Sequence, residues 1–271
     1  MRIPALRNRT AAAELFAAAN FGFLAVDIFV AHSVNGFARW EEWAPFAFSL
    51  AAAPLLLLSF LREGAGLRPG GARRLGITVG AISVAVGVAG LLFHLDSAFF
   101  ARQSLKNLVY TAPFAAPLAY AGLGLLVLLD RLVDDPSEWA RWVLFLALGG
   151  FAGNVALSLA DHAQNGFFRK SEWIAVAAAA FAVGFLAVAT VGRSEAPFLR
   201  LCRAVMAAEA VVGLLGFGLH LRANLGNPGR TFGDRFLYGA PIFAPLLFAN
   251  LAVLAMIGLA ALPLAPGPER S

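Results

Sequence analysis

Eight apolar stretches, each about as long as a bilayer is thick when coiled into a helix, recur along this chain. They lie at roughly 11–34, 43–61, 74–97, 108–130, 140–162, 173–192, 198–221 and 236–262. A hydrocarbon core about 30 Å thick takes about 20 helical residues to cross. In lipid only helices and closed barrels satisfy every backbone donor and acceptor. Runs this long predict an all-α, polytopic membrane bundle of about eight transmembrane helices. Composition points the same way: 60% of the residues are hydrophobic and 14% charged, against roughly 25% charged in a soluble domain. Sixteen acids and 21 bases cannot coat a soluble fold of this length, so the expected partner is the lipid bilayer. No loop exceeds about fifteen residues within the uncertainty of such boundaries, which leaves no room for a soluble catalytic domain. The first run is longer than a signal-peptide core and seven more follow it, which argues against a cleaved leader.

The formal charge of +5 is not a nucleic-acid footprint, because the bases sit in short loops between apolar runs, where they set topology. One side, holding the N-terminus, the 2–3, 4–5 and 6–7 loops and the C-terminus, has thirteen: Arg2, Arg7, Arg9, Arg62, Arg68, Arg73, Arg74, Arg131, Arg141, Arg193, Arg200, Arg203 and Arg270. The other has eight: Arg39, Arg102, Lys106, Arg169, Lys170, Arg222, Arg230 and Arg235. The positive-inside rule places both termini in the cytoplasm, in a bacterial-type inner (plasma) membrane.

The chain repeats itself. His32-Ser-Val-Asn-Gly-Phe-Ala-Arg-Trp-Glu-Glu-Trp43 and His162-Ala-Gln-Asn-Gly-Phe-Phe-Arg-Lys-Ser-Glu-Trp173 share H-x-x-N-G-F-x-R-x-x-E-W at an offset of 130. Tyr110 to Leu118 and Tyr238 to Leu246 share Y-x-A-P-x-x-A-P-L at 128, and Gly87, Gly90 and His94 match Gly213, Gly216 and His220 at 126. Three ordered matches at nearly one offset mark a duplication, with repeats at 1–131 and 132–271 forming one compact membrane domain. Pro136, within 131–138, marks the seam. An even number of spans per copy predicts a parallel repeat with a pseudo-two-fold axis along the membrane normal.

All four histidines, His32, His94, His162 and His220, fall near the C-terminal end of an odd-numbered span, on the predicted outer side. Imidazole suits Zn, Cu, Fe and Ni, and a bis-histidine pair would suit haem b. A histidine at a helix end also gains from the macrodipole without binding anything. Four in duplicated contexts raise the expectation of a metal site (Cu, Zn or Fe), with haem less favoured because two at one depth would crowd the bundle. Gly87, Gly90 and His94 share a helix face, as do Gly213, Gly216 and His220; this is either close helix packing or room for a macrocycle.

Intramembrane acids are functional candidates by default. Asp27 lies five residues before His32, Asp161 directly before His162, and Glu209 three turns deeper than His220, where the first copy has Ser83. Glu42 and Glu172 fall at the start of the returning helices, paired by spacing with Arg39 and Arg169, and are secondary ligand candidates. Asn-Gly reads as a left-handed helix stop, Trp43 and Trp173 as interfacial anchors, and the prolines of Y-x-A-P-x-x-A-P-L as kinks in spans 4 and 8.

The single Cys202 excludes an intramolecular disulfide or a multi-cysteine metal site. No Walker A, dinucleotide, zinc-protease or nucleophile-elbow motif is present. Three readings remain: a histidine quartet holding a metal or haem for metal handling or electron transfer; a small-solute or ion transporter using Glu209 or Asp27; and a structural or assembly subunit, with a membrane-complex partner or a second copy. Catalysis is neither implied nor excluded.

Overall fold

The computed structural model describes residues 9–64, 69–192, 195–228 and 231–262. Arg2, Arg7, Arg68, Arg193, Arg230 and Arg270, counted above for topology, lie outside the described residues. Among those described there are ten helices: α1 (Arg9–Ser33), α2 (Trp40–Gly64), α3 (Pro69–Asp96), α4 (Leu105–Tyr110), α5 (Leu118–Leu132), α6 (Pro136–Gln164), α7 (Glu172–Val191), α8 (Ala196–Leu225), α9 (Phe232–Leu237) and α10 (Leu246–Ala261). Six of them, α1, α2, α3, α6, α7 and α8, are long and apolar enough to cross a membrane. α1, with 25 residues, is about 37 Å long at 1.5 Å per residue.

The spans expected at 108–130 and 236–262 are not continuous helices. Each is a six-residue helix, an irregular turn, then a helix of 15 or 16 residues. Proline explains the break. It has no N–H to continue the ladder and excludes the preceding residue from the α region, and Y-x-A-P-x-x-A-P-L places two prolines within five residues. The kinks expected there are full interruptions. At about 22–24 Å, neither α5 nor α10 spans the hydrocarbon core alone.

Local signals set the other ends. Asp135 caps α6 by accepting from the Glu138 N–H at 2.7 Å, with Pro136 in the first turn, where its missing donor costs nothing. Ser104 and Thr231 cap α4 and α9 in the same way.

The chain divides into two compact units, Met1–Leu132 with Leu215–Pro245, and Val133–Leu214 with Leu246–Ser271. In the first, α3 lies along α5, and α1 packs on α2 and α5; Phe21, Leu56 and Leu126 are fully buried. In the second, α6 packs on α7 and α10, around Trp139, Leu144, Phe151 and Leu259. Many large apolar side chains lie on the outside: Leu61, Phe181 and Val191 are all more than half exposed. In water such surface would be an aggregation liability; in lipid it is the solvated face. The chain is an integral membrane protein built as a bundle of apolar helices.

Candidate functional site

The H-x-x-N-G-F-x-R-x-x-E-W segment builds the same hairpin at both of its occurrences. α1 ends as Asn35 and Phe37 return their N–H groups to the His32 carbonyl, at 3.3 and 3.1 Å. Gly36 (φ 68°) and Phe37 (φ 52°) are both left-handed. Gly166 (φ 69°) and Phe167 (φ 50°) repeat this after α6, with Asn165 and Phe167 bonded to the His162 carbonyl. The left-handed stop expected at Asn-Gly is present; that it extends to a bulky phenylalanine was not anticipated, since such a residue rarely adopts positive φ. The ring holds it there. Phe37 lies 4.4 Å from Trp43 and 5.8 Å from His32, and Phe167 stacks at 4.1 Å on Trp173, 5.9 Å from His162.

The turn brings the first residue of the motif to its penultimate one. His32 Nδ1 faces Glu42 Oε2 at 4.0 Å, and His162 Nδ1 faces Glu172 Oε2 at 3.7 Å. Asn35 donates to the other oxygen of Glu42 at 2.7 Å. The expected Arg39–Glu42 pair does not form; Arg39 binds Glu41 at 3.0 Å, and Glu42 is turned inward to the imidazole. After α6, Glu172 likewise turns to His162, while Arg169 lies over the Phe168 ring at 5.4 Å. Arginine at i, i+3 across a non-helical turn does not share a face with the glutamate, which is why spacing misled here.

The other two histidines are fixed by the broken helices. His94 Nδ1 lies 2.9 Å from the Pro113 carbonyl, and His220 Nδ1 lies 2.8 Å from the Pro241 carbonyl. A carbonyl only accepts, so Nδ1–H donates. The glycine face below each histidine receives the second proline of the same motif. A Cβ on Gly90 would meet Pro117 at 2.7 Å, one on Gly216 would meet Pro245 at 2.7 Å, and one on Gly87 would meet the Ala121 nitrogen at 2.5 Å. The glycines thus serve close packing against the break, and that face is filled by the chain itself. Thr111 and Ser97 also donate to the His94 carbonyl, at 2.7 and 2.6 Å.

All four imidazoles are half-buried. His32 and His94 are neighbours, with ring centres 6.4 Å apart. Among the described residues, no group of three or more His, Cys, Asp or Glu side chains is placed to hold a metal ion. The donors come at most in pairs.

Asp27 and Asp161 are half-buried. Glu209 is 2% exposed, with Oε2 buried and lacking a hydrogen-bond partner; its counterpart Ser83 donates to the Tyr120 carbonyl at 2.7 Å. Two further groups escaped notice in the sequence. Glu14 and Arg131 form an ion pair, both side chains almost wholly buried, with Arg131 also donating to Ser59 Oγ at 3.2 Å. Arg131 had been counted as a loop cation. The available signal was Glu14 itself, an acid inside an apolar run. Tyr120, also buried, contacts the Ser49 hydroxyl and donates to the Pro45 carbonyl at 2.9 Å.

Comparison with protein-family models, with curated proteins and with solved structures finds no match. The class is therefore carried by the bundle alone: an integral membrane protein with imidazole, carboxylate and hydroxyl groups set into its helices.

Proposed function

We propose that this protein handles a transition-metal ion, held exchangeably between His32 and His94 at the outer end of the first copy. One observation carries this reading. His94 and His220 hydrogen-bond Nδ1 to the Pro113 and Pro241 carbonyls, and His32 and His162 face the Glu42 and Glu172 carboxylates with Nδ1 at 4.0 and 3.7 Å. Metal-ligating histidines are held in this way, the outer nitrogen fixed by a carboxylate or backbone carbonyl so that the inner one is presented to the ion.

His32 and His94 add proximity. With metal–nitrogen bonds of about 2 Å, two imidazoles on one ion have ring centres about 5 Å apart in a tetrahedral site and about 6.3 Å apart in a linear one, so His32 and His94, at 6.4 Å, need to close by about 1 Å to share a tetrahedral ion. A pair of protein ligands leaves coordination positions open, unlike a closed four-ligand structural site. Open positions suit transfer of the ion or a change in its oxidation state. Imidazole chemistry favours Cu, Zn or Fe; haem b has less in its favour, because the glycine faces are occupied by Pro117 and Pro245.

The same reading places the protein in a bacterial-type plasma membrane, with eight passages, two duplicated halves and both termini inside. The matched hairpins and matched histidine–proline bonds support the duplication. Metal content of the purified protein tests the function. About one Cu, Zn or Fe per chain is expected, with loss in His32→Ala and in His94→Ala and retention in His162→Ala. No metal in the parent protein overturns it.

Small-solute transport past Glu209 is a second reading, favoured by the unpartnered Oε2 of that buried carboxyl. The assembly-subunit reading has no comparable observation behind it.

A further inference from the structure

Two donors at a fixed spacing restrict which ion they can hold. His32 lies at the end of α1 and His94 at the end of α3, with ring centres 6.4 Å apart and ring planes at 73°. Among the described residues, no third His, Cys, Asp or Glu joins them to complete a ligand group. Zn(II) takes four ligands in a tetrahedron. The pair would have to close by about 1 Å to share such an ion, and two further donors would have to come from elsewhere.

The backbone resists that closure. His94 is tied through Nδ1 to the Pro113 carbonyl at 2.9 Å, and its own carbonyl is held by Thr111 and Ser97. The His32 carbonyl takes both the Asn35 and the Phe37 N–H of the left-handed turn. The spacing of the two rings is therefore built into the ends of α1 and α3. An ion that accepts two donors in a line fits it without movement. Two imidazoles bound on opposite sides of an ion through Nε2, at about 2 Å, have centres about 6.3 Å apart.

The surroundings favour a low charge. Phe37 lies 5.8 Å from His32, with Phe29 and Phe46 each 6.0 Å and Trp43 4.4 Å from Phe37. An apolar shell of this kind lowers the local dielectric and penalises a doubly charged ion more than a singly charged one. Glu42 supplies negative charge behind the His32 ring, its buried Oε2 4.0 Å from Nδ1 and without a hydrogen-bond partner. Asn35 fixes its other oxygen.

We propose that the ion is Cu(I), one per chain, held in a line between His32 and His94. Its filled d shell imposes no ligand-field geometry, two-coordinate linear binding is ordinary for it, and imidazole is among the ligands that copper accepts. The inference rests on the reading of this pair as the metal site and narrows that reading to one ion and one oxidation state. The ion enters and leaves as Cu(I), so no electron is transferred. Cys202 and Met206, both fully buried on α8, are softer donors that Cu(I) also accepts, and the test separates them from the histidines.

The test is anaerobic titration of the purified full-length protein with Cu(I) buffered by a coloured Cu(I) chelator, with Ag(I) and Zn(II) as competitors. One Cu(I) per chain is expected, displaced by Ag(I), a closed-shell ion of the same charge and linear habit, and not by Zn(II) in excess. Binding is expected to be lost in His94→Ala and kept in His162→Ala, with melting temperature followed in both. X-ray absorption is expected to show two nitrogen ligands and the intense edge feature of two-coordinate Cu(I). Zn(II) held as tightly as Cu(I), or a four-coordinate shell, overturns the Cu(I) assignment and leaves the histidine pair as a metal site. Cu(I) binding that survives His94→Ala and is lost in Cys202→Ala overturns it in favour of the sulfur donors. No binding of any of the three ions overturns both readings.

Discussion

His94 donates from Nδ1 to the carbonyl of Pro113 at 2.9 Å, tying the end of one helix to the break in another nineteen residues on. His220 repeats the bond with Pro241 at 2.8 Å. Two motifs that look unrelated in sequence, G-x-x-G-x-x-x-H and Y-x-A-P-x-x-A-P-L, are thus two sides of one contact: the histidine holds the first proline and the glycine receives the second.

Substituting Gly87→Ala tests that contact. The added Cβ would sit 2.5 Å from the backbone nitrogen of Ala121, which cannot move without displacing α5. Overpacking of this kind costs typically 1–3 kcal/mol. A clear fall in melting temperature in detergent is expected. Gly122→Ala, where nothing lies within 4 Å, is expected to change little.

The Glu14–Arg131 pair predicts strong non-additivity. Breaking a buried pair by removing one partner costs about 3–5 kcal/mol, whereas replacing both by apolar groups is often neutral. Leu144 and Leu259 stand at the offsets of 130 and 128 by which the repeated motifs are spaced. Glu14→Leu and Arg131→Leu are each expected to lower the melting temperature and yield markedly. The double variant is expected to recover most of the loss, and simple addition of the two effects would contradict the pairing.

The hairpin predicts a glycine effect of its own. Gly36 and Gly166 are left-handed, where an L-residue costs roughly 1 kcal/mol. Gly36→Ala is expected to destabilise by about that amount and, by disturbing the turn that brings Glu42 to His32, to weaken metal retention. Gly166→Ala is expected to match the stability loss without the metal effect. Thermal melts paired with metal analysis separate the two.

Much of the fold was legible because lipid imposes a simple rule. Apolar length set the six long helices, and Asn-Gly set the hairpin stops. The interruptions at 111–117 and 238–245 were read as kinks because apolar length ignores backbone donors. Two prolines in five residues remove more hydrogen bonds than a kink can absorb. The four histidines stand out in the sequence by position alone, but the groups they contact do not. Pro113 and Pro241 act through backbone carbonyls, which carry no residue-type signal. Glu42 was assigned to Arg39 because spacing does not show which way a left-handed turn throws its side chains. Arg131 was taken for a loop cation because its partner lies more than a hundred residues earlier in the chain.

X-ray absorption at the metal edge of the loaded protein is the most direct measurement of the central claim. Two imidazole ligands with metal–nitrogen distances of about 2 Å are predicted, with the metal-edge signal lost in His32→Ala and in His94→Ala and unchanged in His162→Ala. A first shell without imidazole, or one unchanged by either substitution, would contradict the assignment of the ion to this pair.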